Sequence, residues 1–413
     1  MTFIKQATHR IIYQLPWRAI GSVLLAFLIT RGMVFIVTYF SMIELPVRER
    51  TDYFTVAPHN LVESGLIRWD SRFFLQIIAH VYTSADNSSS AAFFPLYPMM
   101  VWGFYKLVGH LSISISGLLV SNLLLLVALA YLYALTRQEY DDATAGRAVF
   151  YLAAAPAAFV FSAFYSDSAL VAFSIACFYY AHNRRWGLAA LMGAAASASQ
   201  ISGFLTAVFI VMEGLRQQGA TFLPRPWNWK NQVELLWADL KLIPRIWTPI
   251  LAAVGTMAGW LTFMVHLQNV LGDPWAFIHT NAGWGRSIGW DWMPRLIHNT
   301  ITGLEYSGNL LAGHFNANNF KDVAALLIFL PLVIAVMVKM RPPYAWFTFL
   351  IYMLAPISGS LESMRRFVLW LAPCYMLMGV WGKRPWVDRL IICVSLPLQA
   401  YLTILFSHWY FAV

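Results

Sequence analysis

Apolar stretches of about 20 residues recur along the whole chain, separated by short polar segments, and each is long enough as a helix to cross a hydrocarbon layer of roughly 30 Å. Only helices or closed barrels satisfy the backbone in lipid, and continuous apolar runs lack the alternation of a barrel strand. The pattern therefore predicts an all-α polytopic membrane protein, with spans near 17–41, 93–108, 115–135, 246–267, 323–338, 345–357, 367–381 and 387–406. Between 148 and 215 the runs are harder to divide. Ala148 to Ala163 either crosses or forms a short re-entrant piece bent at Pro156, and the small-residue run from Trp186 to Leu215 divides in two at Ser199-Gln200. The bent reading places Arg184 and Arg185 on the cytoplasmic side, as the positive-inside bias requires, and Asp167 on the face shared with Asp70. The count is about eleven transmembrane helices in a single integral domain, 1–413, with the N-terminus inside, a retained first span and the C-terminus outside.

Three polar stretches interrupt this plan. Residues 44–91 form a first large outer loop, in which Phe73, Phe74, Ile77, Ile78 and Val81 make a helical stripe suited to the membrane interface. Residues 216–246, with Arg216, Arg225, Lys230, Lys241 and Arg245 among tryptophans, suit a cytoplasmic amphipathic segment. Residues 272–322 form a second large outer loop rich in Trp, His, Asn and Gly.

Composition agrees: 59% hydrophobic and 11% charged residues over 413 positions is more apolar surface than one soluble core can hide. The formal charge of +9 falls in short clusters at the ends of apolar runs, where membrane orientation accounts for it, so no nucleic-acid partner is expected. The three cysteines stand alone inside apolar runs and read as small core residues. No G-x-S-x-G, Walker A or H-E-x-x-H occurs, the histidines lack metal spacing, and no metal or cofactor is expected.

Candidate chemistry gathers in R-W-D-S-R, residues 68–72. Asp70 reads either as the N-cap of the following helix or as a general base for an acceptor hydroxyl. Asp167, in Y-S-D-S, is a cap, a second carboxylate that orients the acceptor, or a weak metal ligand. Arg365 and Arg366 break the charge bias that the other basic clusters obey; they either snorkel at the outer surface or grip a lipid-borne phosphate. Arg31 lies within the first span and is expected to pair, with an acid of the first loop as candidate.

These residues sit in blocks that resemble the PIG-V family of membrane mannosyltransferases: W-D-x-x-x-F-x-x-I-I-A at Trp69 to Ala79, A-F-F-P-L-Y-P at Ala92 to Pro98, P-A-A-F-x-x-S-A-x-Y-S-[DE]-S at Pro156 to Ser168, and S-M-x-R-[YF] at Ser363 to Phe367. The resemblance implies a GT-C type glycosyltransferase fold around an outward-opening cavity, with Asp70 as catalytic carboxylate. It implies a polyprenyl-phosphate-linked mannose or related hexose as donor, and transfer with inversion to a lipid or glycan acceptor, as in glycosylphosphatidylinositol assembly. Arg365 and Arg366 would bind the donor phosphate, and Trp69, Arg72, Tyr165, Asp167 and Trp284 the substrates. Ser71-Arg72-Phe73 stands where the family carries histidine or a similar residue, and the chain is short for a eukaryotic member. Both point to a bacterial relative, monomeric in the plasma membrane, with its active site extracytoplasmic; a eukaryotic member would lie in the endoplasmic reticulum. The rival reading is a lipid or sugar transporter, which would place its polar residues near the midplane instead of in outer loops.

Overall fold

A computed structural model describes residues 17–48, 54, 56–82, 89–220, 239, 241–283, 285–286, 289–305 and 316–412, and among these every regular element is helical. In chain order the α-helices begin with α1 (Trp17–Glu44), α2 (Leu61–Leu66), α3 (Ser71–His80), α4 (Leu96–Val108), α5 (Ile113–Glu139), α6 (Asp142–Ala154), α7 (Asp167–His182), α8 (Trp186–Ser199) and α9 (Thr206–Gln217). They continue with α10 (Trp247–Thr256), α11 (Ala258–Leu271), α12 (Ala276–Ala282), α13 (Trp292–Glu305), α14 (Ala317–Lys339), α15 (Pro342–Ile357), α16 (Met364–Phe367), α17 (Ala372–Trp381) and α18 (Pro385–Ser407).

Among the described residues, five stretches are long and apolar enough to cross a membrane: α1, α5, Ile243–Leu271 with α10 and α11, α14 and α18. The chain is thus a multi-pass membrane protein. The expected eleven crossings are not established by these lengths, because several apolar runs fold into shorter helices, among them α4, α8, α15 and α17. The second expected span, for example, begins only at Leu96, after Pro95.

The ambiguous stretch does bend. α6 ends at Ala154, and the 3-10 turn Pro156–Ser162 leaves it at 80°. A bent helix frees carbonyls that need donors in a medium without water. Arg31 supplies them, its Nη2 donating to Ala153 O at 2.7 Å and its Nη1 to Ala158 O at 2.8 Å and Ser162 Oγ at 3.2 Å. Gln399 Nε2 adds bonds to Ala153 O and Ala155 O, both at 3.0 Å. The acidic partner expected for Arg31 is therefore replaced by the carbonyls of the kink. The break expected at Ser199-Gln200 is also present, with α8 ending at Ser199.

α7 is buried on nearly every side and packs against α5, α8 and α9. Small residues at Ala169, Ala172, Ala176 and Ala181 let those neighbours approach. Gly117 of α5 lies against the Phe164 ring just before α7, where any Cβ would overlap it. The first outer loop folds into α2 and α3. Phe73, Phe74 and Ile77 of its apolar stripe are buried in protein, whereas Val81 is exposed; Phe73 stacks on Phe93 with centroids 4.5 Å apart, and Phe74 meets Phe93 and Tyr97 edge-on. α12 and α13 fill part of the second loop. Of 216–246, the residues 221–238 and 240 lie outside those described. Cys177 and Cys374 are buried as expected, whereas Cys393 is exposed.

Candidate functional site

The ends of several helices enclose a cavity of about 740 Å³, whose lining includes Asp70, Arg72, Tyr165, Asp167, Gln200, Arg286, Glu362 and Arg366. Each of the two charged loops enters it through a left-handed residue. Trp69 has φ +53° immediately before Asp70, and Ser363 has φ +66° at the head of α16. For residues with a Cβ such a conformation costs on the order of 1–3 kcal/mol and persists where the surroundings impose it.

The turn at Trp69 aims Asp70 away from helix capping. Asp70 precedes α3, yet its side chain makes no capping hydrogen bond. Its Oδ2 instead accepts from Arg366 Nη1 at 2.7 Å, and its backbone N–H donates to Tyr165 Oη at 3.2 Å. Oδ1 is left without a protein donor among the described residues, on a side chain 29% exposed.

Asp167, in the first turn of α7, does no capping either. Its Oδ1 accepts from Trp370 Nε1 at 2.9 Å and lies 3.5 Å from Arg366 Nε. Its Oδ2 is buried with no hydrogen-bond partner among the described residues, an arrangement that costs roughly 1–3 kcal/mol or more for a charged group. Burial works against the Arg366 charge, but Asp167 and Asp70 outweigh it and hold its proton firmly. One guanidinium thus bridges two carboxylates that line the cavity, each with an oxygen that no donor answers among the described residues. Such oxygens can take a proton from a hydroxyl or fix it by a hydrogen bond.

The other expected residues divide. Tyr165, Arg72 and Trp69 line the cavity. Trp69 also borders a smaller cavity of about 400 Å³ and meets Trp409 and Phe411 edge-on. Trp284 lies outside the described residues. Arg365 does not line the larger cavity. Its Nε and Nη2 donate to Asp322 Oδ1 and Oδ2 at 2.9 and 3.2 Å, and its N–H donates to Oδ1 at 3.3 Å. Consecutive side chains on the short α16 point to different partners, so of the two arginines expected at a phosphate only Arg366 lines this cavity.

Sequence reasoning missed Arg286, Glu362, Gln200 and Trp370. Arg286 Nη2 donates to Glu362 O at 2.8 Å, and Gln200 Nε2 donates to Ser166 Oγ at 3.0 Å beside Asp167. The break at Gln200 was itself a usable signal, since a polar side chain at an interrupted helix has backbone and ligand to serve. Arg286 stands in a loop without periodicity that would have marked it.

A family model described as mannosyltransferase (PIG-V) matches residues 13–222. GPI mannosyltransferase 2 of Drosophila pseudoobscura pseudoobscura is 34% identical over 126 residues, 27% of this chain and 26% of that protein, so the match spans about a quarter of the curated relative. Among solved structures, ArnT from Cupriavidus metallidurans bound to undecaprenyl phosphate has a TM-score of 0.49 at 14% identity, covering 95% of this chain and 77% of that one. The Archaeoglobus fulgidus oligosaccharyltransferase complex with Zn and sulfate has a TM-score of 0.44 at 14% identity, covering 94% and 53%.

Proposed function

The chain belongs to the PIG-V mannosyltransferase family, and from that premise we propose that it moves a mannose, or a related hexose, from a polyprenyl-phosphate donor to a hydroxyl of a lipid or glycan acceptor. The observation that carries this reading is the pair of carboxylates at one cavity, Asp70 with Oδ1 unclaimed and Asp167 with Oδ2 orphaned, among the described residues. A hydroxyl-rich ligand supplies the donors that these oxygens lack.

In the reaction the acceptor oxygen forms a bond to the anomeric carbon while the bond from that carbon to the phosphate oxygen breaks. The hydroxyl proton passes to Asp70 Oδ1, and the electron pair of the broken bond stays on the phosphate. Attack opposite the leaving group inverts the anomeric centre. Arg366 fixes Asp70 through Oδ2 and so orients Oδ1, Asp167 holds a sugar hydroxyl, and Tyr165 sets the Asp70 backbone. The positive charge between the carboxylates comes from Arg366. The cavity opens on the extracytoplasmic side of a bacterial plasma membrane, where lipid-linked donors are presented.

The test is incubation of the purified, full-length protein with polyprenyl-phosphate mannose and candidate lipid acceptors. A new glycosidic bond of inverted configuration is expected. Movement of the donor across a vesicle bilayer without bond exchange would replace this reading with transport.

A further inference from the structure

Arg366 is already answered by two carboxylates, Asp70 at 2.7 Å and Asp167 at 3.5 Å. With either acid ionised the trio is neutral, and with both ionised it is negative. Arg365 is neutralised by Asp322 at 2.9 Å. An incoming phosphate would gain little from either arginine, because attraction to each is cancelled at short range by its own acid.

Arg286 is placed differently. It lines the same cavity, just after α12. Its Nη2 is used by the neutral Glu362 carbonyl, its Nε is buried without a partner, and among the described residues no carboxylate forms an ion pair with it. Glu362, Asp70 and Asp322 act on it only at longer range, while burial and then the Arg366 charge push its pKa down. The Phe367 ring lies 5.5 Å from its guanidinium carbon. A half-buried guanidinium without a counter-ion is costly unless an anion joins it. Arg72 is a second cation on the cavity wall, exposed, with its guanidinium carbon 4.7 Å from the Phe73 ring and again no ion pair among the described residues.

We propose that Arg286, helped by Arg72, grips the lipid-borne phosphate of the donor, and that Arg366 serves the carboxylates instead. The assignment rests on the lipid-phosphate donor proposed above. A sugar phosphodiester carries one negative charge, and as the bond to the anomeric carbon breaks the departing phosphate oxygen gains another. A cation not already matched by an acid responds most to that added charge, so Arg286 stabilises the transition state more than the bound donor. Its planar fork also fits two phosphate oxygens at once.

The experiment measures binding of polyprenyl phosphate, and of polyprenol lacking the phosphate, to the full-length wild type, Arg286→Gln and Arg286→Lys in lipid nanodiscs. Arg286→Gln is expected to weaken polyprenyl phosphate binding about 10- to 100-fold, the range of a lost charge-assisted bond. It should leave polyprenol binding within about twofold of wild type, on the standing allowance for context. Arg286→Lys keeps a point charge and loses the fork, so it should bind the phosphate several-fold more weakly than wild type and more tightly than the glutamine variant. It also decides the matter alone if Arg286→Gln fails to fold. Unchanged phosphate binding in the folded variants, or an equal loss for both lipids, overturns the assignment. A wild type that binds polyprenyl phosphate no better than polyprenol removes the donor reading itself, a result distinct from either.

Discussion

The two ends of α7 bury acids against arginines in different ways. The helix has 16 residues, so its ends lie about 24 Å apart. At the His182 end, Glu213 has both oxygens bonded: Oε2 accepts from Arg216 Nε and Oε1 from Gln217 Nε2, each at 2.8 Å. Glu139 beside it accepts from Arg341 Nη1 and Tyr344 Oη, both at 3.1 Å, with His182 Nδ1 at 3.4 Å. Glu213 lines neither cavity described above. At the other end, Asp167 is as deeply buried as Glu213, but one of its oxygens is unanswered beside a cavity. Buried charge does not by itself mark a site. Unspent hydrogen-bonding capacity that faces space for a ligand does.

If the Asp167 end is the working one, its cation should matter most. Arg366→Gln leaves Asp70 and Asp167 without the charge between them, and breaking such a buried pair costs about 3–5 kcal/mol. Transfer rates under saturating donor should fall about 10²- to 10³-fold. Asp322→Asn acts one step away by releasing Arg365, which anchors the turn that carries Arg366. A loss in kcat of about tenfold is expected, together with a lower melting temperature, on the scale of a weakened buried ion pair. An unchanged kcat in folded Asp322→Asn would show that the Arg365 clamp holds the fold and not the site.

The His182 end should behave in the opposite way. Glu213→Gln should cost about 1.5–3 kcal/mol of stability through its charged hydrogen bonds, seen as a lower melting temperature, with kcat per folded molecule unchanged. A selective loss of kcat there would break the contrast between the two ends.

The smallest effect belongs to Asp141, the N-cap of α6. Lys383 and then the Thr144 amide hold its carboxyl well below the usual range. A depressed pKa contributes stability that is present above the unfolded value of about 4 and lost as pH falls through the folded one. Its contribution should therefore stay constant between pH 7 and 5. Its side chain is 46% exposed, so solvent screens the ion pair. Asp141→Ala should cost about 1 kcal/mol, mainly the lost cap, measured as a small shift in melting temperature without change in rate.

Much of this arrangement was legible in the sequence because each feature has a local cause. Hydrophobic runs gave a helical membrane protein, Pro156 gave the bend, and Gln200 gave the break. Asp70 and Arg366 stood out because charge is costly in so apolar a chain. What the sequence hid is tertiary. Nothing in Arg365-Arg366 says which faces a cavity, since Asp322, 43 residues away, takes one and Asp70, 296 away, takes the other. Arg31 was expected to seek an acid, because the carbonyls at Ala153 and Ala158 become acceptors only once the chain has kinked. Capping, the default for Asp70 and Asp167, lost to partners that lie far away in sequence.

The account rests above all on Asp70 as the base that activates the acceptor. The direct measurement is kcat for mannosyl transfer by purified Asp70→Asn at saturating donor and acceptor, with its melting temperature recorded alongside. The amide still accepts from Arg366 but takes no proton, so a fall of about 10²- to 10⁴-fold is predicted for a protein that remains folded. A rate within twofold of wild type would contradict it.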